Sequence, residues 1–201
     1  MIQKDSEEAR IEAARIIADG GVIAFRTDTF YGLGADPFKP SAIRKIRVLK
    51  GGDDRKPILL LLSDEDEVDR FIEQSAFFKQ VAHGHWPAPL TLIGASRPEV
   101  PSELTAGSRS LGVRLPDDEE VRALVRACGG ALTATSANVS GLPPARTAQE
   151  VANYFSTGID LIVDGGEVTA SLPSTVLDVS GSEVRLVREG AVSRGELEDL
   201  L

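Results

Sequence analysis

The chain has 201 residues, and 42% of them are hydrophobic, which is enough to bury a substantial core in one domain or two small ones. Its single cysteine, Cys128, excludes an internal disulfide and a cysteine-rich zinc site, and no apolar run approaches the roughly 20 residues that span a bilayer. The net charge of -9 disfavours broad nucleic-acid binding, and the charged N-terminal residues lack the apolar stretch of a secretory signal, so we expect a cytoplasmic protein.

The first half of the chain predicts helices alternating with strands. Apolar residues at helical spacing indicate a helix over Asp5–Ala18, which Gly20 and Gly21 end. The elements predicted after it are a strand at 22–25, a loop at 26–36, a helix capped by Ser41 and ending at Leu49, a strand at 57–62 buried on both faces, an acid-started helix at 64–74 and a helical piece around 77–81.

The second half continues the alternation and adds a hairpin. The predicted elements are strands at 90–95 and 111–116, a helix at 117–129, a strand at 131–137, a helix at 147–155, a strand at 161–166, a hairpin of 174–180 with 183–190, and a short last helix with a Ser193–Glu196 capping box. Because strands alternate with helices, we predict a single α/β domain over 1–201, with a mixed parallel and antiparallel sheet flanked by helices.

Three polar loops lie at the ends of predicted strands, where open α/β sheets usually bind ligands. They carry Thr27, Asp28, Thr29 and Tyr31 in the first loop, Ser136, Asn138 and Ser140 in the second, and Ser174 and Thr175 in the third. Such hydroxyl and amide groups suit a carboxylate, a phosphate or a ribose, but they also form ordinary turns and caps. Together the three loops favour a binding site without naming a reaction.

Charged residues add two further candidates. Arg114 lies in an otherwise apolar strand, so it needs a partner, which is either a bound anion or a structural carboxylate. The segment 44–56 carries a net charge of +4 in an acidic chain, which indicates either a confined anionic ligand or a solvated helix face. His83 and His85 are the only histidines, and a helix C-terminus or a turn is a simpler explanation for them than a metal site.

With the loops assembled, the order of motifs resembles the YrdC/TsaC family of threonylcarbamoyl-AMP synthases. The motifs are TDTFYGLGAD, Lys50, KPILLLL, WPAPLTLI, LTAGSRSLGVRLP, TSANVSG, DGG, PSTVLDV and VREGA, and they span about Gly21 to Gly190. The resemblance implies a twisted mixed sheet around a large concave pocket, in the short, single-domain form of the family.

The resemblance also implies a reaction and its partners. ATP, L-threonine and bicarbonate would give threonylcarbamoyl-AMP and pyrophosphate, with Mg²⁺ accompanying the triphosphate. The product would pass to the tRNA threonylcarbamoyltransferase machinery for threonylcarbamoyladenosine modification. Contact with tRNA or double-stranded RNA is a further expectation.

By motif, the resemblance implies a role for each of nine residues. Lys50 would reach the phosphates as the catalytic lysine. The remaining ATP-binding residues would be Ser136, Asn138 and Arg188, and the threonine-binding residues would be Thr27, Thr29, Tyr31, Arg114 and Ser174.

One departure from the family pattern leaves an alternative open. Gly52 stands where the family has the arginine of its KxR phosphate loop, and Asp53 stands where it has a proline. A YciO-like paralogue that binds nucleotide or RNA, with weak or no synthase activity, is therefore the second hypothesis. A carbamoyl-transfer role like that of hydrogenase maturation proteins is the third, and the single cysteine argues against it.

Overall fold

The structure is a computed structural model that describes residues 1–51 and 56–201. The strands are β1 Ile2–Lys4, β2 Ile23–Phe25, β3 Gly32–Gly34, β4 Leu59–Leu62, β5 Ile72–Glu73, β6 Leu90–Ser96, β7 Ser110–Arg114, β8 Ala131–Ser136, β9 Leu161–Asp164, β10 Thr175–Asp178 and β11 Arg185–Arg188. The helices are α1 Glu7–Ala18, α2 Pro40–Leu49, α3 Ala76–His85, α4 Ser102–Thr105, α5 Glu119–Ala127 and α6 Ala148–Tyr154, with 3₁₀ turns at Glu65–Arg70 and Gly195–Leu197. The departures at Gly52 and Asp53 lie outside the described residues.

The strands pair into a mixed sheet, as predicted. Their order across the sheet is β1-β9-β2-β3-β8-β4-β7-β6-β10-β11, and β5 pairs with β6. The pairs β1/β9, β9/β2, β4/β7 and β6/β10 are parallel, whereas β2/β3, β3/β8, β8/β4, β7/β6 and β10/β11 are antiparallel. Strands far apart in sequence are therefore neighbours, so loops from distant parts of the chain can meet.

Helices cover both faces of the sheet. On one face, α1 and α5 bury Ala13, Ile17 and Val125 against β2, β4, β8 and β9. On the other face, α2, α3, α4 and α6 contribute to a larger core cluster. β4 joins both clusters, since Leu61 packs on the first face while its neighbours Leu60 and Leu62 pack on the second. The prediction that this strand is buried on both faces is confirmed.

Local chemistry explains where several elements begin. The Ser6 side chain accepts a hydrogen bond from Ala9 N and caps α1, while Asp118 accepts one from Val121 N and caps α5. Ser193 and Glu196 bond reciprocally, which confirms the capping box, although the turn that follows is 3₁₀. No helix among the described residues is long and apolar enough to cross a membrane.

Several predictions about elements were wrong or incomplete. The predicted loop at 26–36 contains β3, and the predicted helix at 64–74 is a 3₁₀ turn followed by β5. Ser41 does not cap α2, because Lys39 is the cap residue and Pro40 occupies the first turn. β1 and the short α4 were not predicted at all.

Candidate functional site

A cleft of about 720 Å³ opens among the three polar loops. Seven of the nine predicted site residues line it, namely Thr27, Thr29, Tyr31, Arg114, Ser136, Ser174 and Arg188. Other lining residues are Phe30, Lys56, Thr91, Thr135, Pro144, Pro173 and Val187. The sheet order brings these groups together, because β3 lies beside β8, β7 lies beside β6 and β6 lies beside β10.

The first wall of the cleft is the connection between β2 and β3. The Thr27 hydroxyl donates to Phe30 O at 2.7 Å and accepts from Thr29 N at 3.1 Å, which closes a tight turn. The hydroxyls of Thr27 and Thr29 are 3.1 Å apart, and both side chains are buried. The turn therefore presents two fixed hydroxyl groups at the cleft. The Thr27 hydroxyl also stabilises the turn itself through its bonds to the backbone.

Tyr31 lines the cleft, but its hydroxyl is engaged elsewhere. The hydroxyl lies 2.8 Å from Gly166 O and 3.1 Å from Asp164 Oδ1, and the residue is fully buried. Burial, with the nearby Asp164 carboxylate, raises the pKa of the phenol, so it stays protonated and acts as a donor. The Tyr31 hydroxyl thus joins the first wall to the DGG segment after β9.

Arg114 has a carboxylate partner within the protein. At the end of β7, its Nη2 lies 3.0 Å from Asp28 Oδ1, and the two side chains are only 4% and 6% exposed. Nη2 also lies 3.4 Å from Thr29 Oγ1. Burial raises the pKa of Asp28, and the positive charge of Arg114 opposes that shift. Of the two partners predicted for this buried arginine, a bound anion or a structural carboxylate, the structure shows the carboxylate of Asp28. The Arg114 side chain still lines the cleft.

The opposite wall is built around Ser174, at the start of β10. Its hydroxyl lies 3.0 Å from Thr91 Oγ1 of β6, and its carbonyl accepts from Arg188 Nη2 at 2.8 Å and Arg188 Nε at 3.2 Å. Gly190 permits the close approach of this segment, because a Cβ there would lie 2.2 Å from Pro173 O. Arg188 is thereby held at the cleft by β11.

Lys50 and Asn138 are not among the described residues that line the cleft. Lys50 ends α2, and its ammonium donates to Ser136 O at 2.7 Å and to Asn138 O at 3.2 Å. Asn138 Nδ2 donates to Val139 O and to Leu142 O, which shapes the loop after β8. Among the described contacts, both residues therefore support the loop that presents Ser136, and their predicted contacts with ATP stay predictions.

Several described basic residues of the segment 44–56 make contacts within the fold. Arg44 pairs with Glu103, Arg47 donates to Glu103 O at 2.7 Å, and Lys45 donates to Gly20 O at 2.8 Å. These contacts favour a structural explanation for this part of the charge. The described residues contain no group of three or more His, Cys, Asp or Glu side chains that could hold a metal ion.

Sequence reasoning left two contributors to the site without a role. Asp28 was visible in the first loop, but nothing in the sequence paired it with Arg114. Thr91 lay in the WPAPLTLI motif without an assigned role, although a buried hydroxyl at the start of a strand is a usable signal.

The chain is similar in sequence to known proteins. Residues 15–190 match the Sua5_yciO_yrdC family model, described as telomere recombination. A threonylcarbamoyl-AMP synthase of Idiomarina loihiensis is 36% identical over 176 residues, which cover 86% of this chain and 95% of that protein. A Pyrococcus abyssi protein of the same name is 32% identical over 204 residues, and there the chain spans only 59% of the relative's length.

Solved structures agree with the fold. P. abyssi Sua5 complexed with L-threonine superposes with a TM-score of 0.92 at 30% identity, covering all of this chain and 59% of that one. Escherichia coli YciO superposes with a TM-score of 0.86 at 24% identity, covering all of this chain and 97% of that one. The second likeness, at this identity, supports the fold alone.

Proposed function

Because the chain belongs to the Sua5/YciO/YrdC family, we propose that it is an L-threonylcarbamoyladenylate synthase, a nucleotidyltransferase that uses ATP, L-threonine and bicarbonate. The observation that carries the proposal is the cleft, which gathers seven of the nine residues expected from the motifs. Similarity to a synthase over 95% of that relative's length supports the same activity.

The proposed chemistry needs positioning rather than a protein nucleophile. The threonine amine attacks bicarbonate and water is lost, which gives an N-carboxylate. A carboxylate oxygen then attacks the α-phosphorus of ATP, and pyrophosphate leaves. The protein must hold three substrates in order and neutralise developing phosphate charge. A cleft with fixed hydroxyls and two arginines suits that task.

The threonine side of the cleft would lie between the first wall and β7. Arg114 would bind the amino-acid carboxylate through a charge-assisted hydrogen bond. Thr27, Thr29, Tyr31 and Ser174 would line the space around it, with hydroxyls from the first and opposite walls available to polar groups of the substrate.

The ATP side would involve Ser136, Asn138, Lys50 and Arg188. Ser136 and Arg188 line the cleft, while Lys50 binds the loop that carries Ser136. Mg²⁺ would enter on the triphosphate, since Mg²⁺ in such sites is held largely by substrate phosphates and water.

The similarities favour the synthase over a YciO-like paralogue. The chain is 36% identical to a synthase over almost that protein's whole length, but 24% identical to YciO. We also propose a cytoplasmic location, where ATP and tRNA are both available. Delivery of the product to a tRNA threonylcarbamoyltransferase, with or without direct contact between this chain and RNA, belongs to the same proposal.

Steady-state pyrophosphate release tests the function. We expect release from MgATP that depends on both L-threonine and bicarbonate, with threonylcarbamoyl-AMP as the second product by mass spectrometry. Arg114→Ala should raise the threonine KM by about tenfold or more, since a lost charge-assisted bond costs on the order of 1.5–3 kcal/mol. Threonine-independent release, or tight RNA binding without turnover, would support the paralogue instead.

A further inference from the structure

The ion pair between Asp28 and Arg114 is the most buried one recorded among the described residues, and it borders the cleft. Their exposed side-chain fractions are 6% and 4%, whereas the partners of a second pair, Asp118 and Arg26, are 17% and 24% exposed. Removing two charges from water carries a large desolvation cost, which attraction offsets only when the geometry is good. An ion pair this buried at a binding site therefore calls for an explanation.

The pair is incompletely satisfied within the described residues. Neither carboxylate oxygen of Asp28 meets hydrogen-bond geometry, and Arg114 Nε has no hydrogen-bond partner there. A pair kept only for stability would be expected to form the parallel, bidentate arrangement that arginine and carboxylate favour. The contact is instead a single Nη2–Oδ1 ion pair, which leaves other N–H groups of the guanidinium able to donate to a second acceptor.

A second arginine near Arg114 explains why a carboxylate is useful beside it. Arg188 lies close enough to lower the pKa of Arg114, after the larger effect of burial, while the Asp28 charge raises it. Both arginines line the cleft, and the negative charge of Asp28 offsets part of the repulsion between them. Thr29 Oγ1, at 3.4 Å, is a weak second restraint on the same Nη2 atom.

We propose that Asp28 is a positioning residue, which holds the Arg114 guanidinium in the orientation that receives the carboxylate of the amino-acid substrate. The inference rests on the proposed function. Asp28 is not among the residues lining the cleft, so it acts through Arg114 rather than on substrate. The gain is preorganisation, because a guanidinium fixed before binding loses less freedom when the substrate arrives.

The test combines kinetics with a substrate lacking the carboxylate. Asp28→Asn keeps the shape of the side chain and removes its charge. We expect the threonine KM to rise by about tenfold while the ATP KM changes by less than about twofold. Binding of L-threonine relative to L-threoninol, measured by calorimetry, should fall by a similar factor in Asp28→Asn and in Arg114→Lys.

A double-mutant cycle separates positioning from general damage. If Asp28 acts through Arg114, then Asp28→Asn should add little to the threonine KM of Arg114→Lys. Asp5→Asn is the control, since it removes the carboxylate charge of a less buried pair, Asp5–Arg10, whose side chains are 17% and 20% exposed. This control should leave the preference for threonine over threoninol unchanged.

Outcomes for the two proposals are distinguishable. Wild-type protein that shows no threonine-dependent pyrophosphate release contradicts the proposed function. An active wild type whose Asp28→Asn variant keeps its threonine KM and its preference over threoninol contradicts the role of Asp28 alone, as do additive effects in the cycle. If Asp28→Asn does not fold, Asp28→Glu, which keeps the charge but displaces it, is measured with the same expected direction.

Discussion

At the scale of single residues, Tyr31 lines the cleft, but its hydroxyl is bonded within the protein. Its hydroxyl is held by Gly166 O and Asp164 Oδ1, in a fully buried position. Removing this buried hydroxyl takes a donor from Gly166 O and from Asp164 Oδ1, although Gly166 N still donates to Asp164 Oδ1, and the loss is a cost to folding. The threonine-binding role that the motif implies for Tyr31 would then rest on its ring and backbone.

We therefore predict that Tyr31→Phe lowers the free energy of unfolding by about 1–2 kcal/mol and changes the threonine KM by less than about threefold. Urea denaturation and pyrophosphate release measure the two effects. Tyr154→Phe, the same substitution at the chain's other tyrosine, controls for the loss of a hydroxyl. A Tyr31→Phe variant of normal stability with a much higher threonine KM would contradict this prediction.

Residue types in the cleft were predictable, but their pairings were not. An arginine in an apolar strand signals a partner, because an isolated buried charge is too costly. The choice of Asp28 depends on a fold that joins positions some 85 residues apart, as the nearby Thr29–Arg114 contact shows. For the same reason the sequence could not predict that Lys50 contacts the carbonyls of the loop after β8.

At the scale of elements, the β10–β11 hairpin depends on one carboxylate. Asp178 accepts hydrogen bonds from Ser180 N at 3.0 Å and Ser180 Oγ at 2.6 Å, and it pairs with Arg185 at 2.9 Å. Burial would raise the pKa of Asp178, but these contacts lower it overall. Since β11 carries Arg188, the hairpin turn also determines where one wall of the cleft lies.

We predict that Asp178→Asn destabilises the protein by about 1 kcal/mol at pH 7. A carboxyl whose folded pKa is lowered stabilises the fold above its unfolded pKa, near 4, and that contribution disappears as the pH falls through the folded value. The difference from wild type should therefore shrink at pH 3. Urea denaturation at both pH values measures it, with Glu183→Gln, an exposed acid in the same turn, as control. An effect that persists undiminished at pH 3 would point to lost packing instead.

Periodic elements were predictable, and short ones were not. α1, α5 and β4 have long apolar patterns or caps, so their local sequence determines them. β3 is Gly-Leu-Gly, which carries no strand signal, and it exists because β2 and β8 pair with it on both sides. The acids before Arg70 suit a helix start, but Phe71 and Ile72 are buried beside β6 and end the turn.

At the scale of the whole molecule, the cleft connects regions that are distant in sequence, from Thr27 to Arg188. A ligand bound there would contact several strands at once and would stabilise the native state without binding the unfolded chain. At 100 times Kd, such binding contributes about 2.7 kcal/mol. For a protein of this size, that corresponds to a rise in Tm of roughly 5–10 °C.

We predict that rise for L-threonine with MgATP, measured by differential scanning fluorimetry at saturating concentrations. D-threonine with MgATP is the control for the amino acid, because its carboxylate and side chain cannot both occupy the same contacts. An unchanged Tm with L-threonine and MgATP at millimolar concentrations would contradict binding at the cleft.

The pairing of β9 with β1 and β2 has a consequence for how the chain reaches its native state. Val22 N donates to Asp160 Oδ2, which lies 138 positions further along the chain, and β9 lies in parallel between the two N-terminal strands. On the ribosome, that part of the sheet must therefore wait until residues 161–164 have emerged. Topologies with such long-range pairings fold slowly, since much loop-closure entropy is lost before the contacts form. During synthesis, the edges of β1 and β2 that pair with β9 would stay unpaired until then, and unpaired strand edges of this kind favour aggregation.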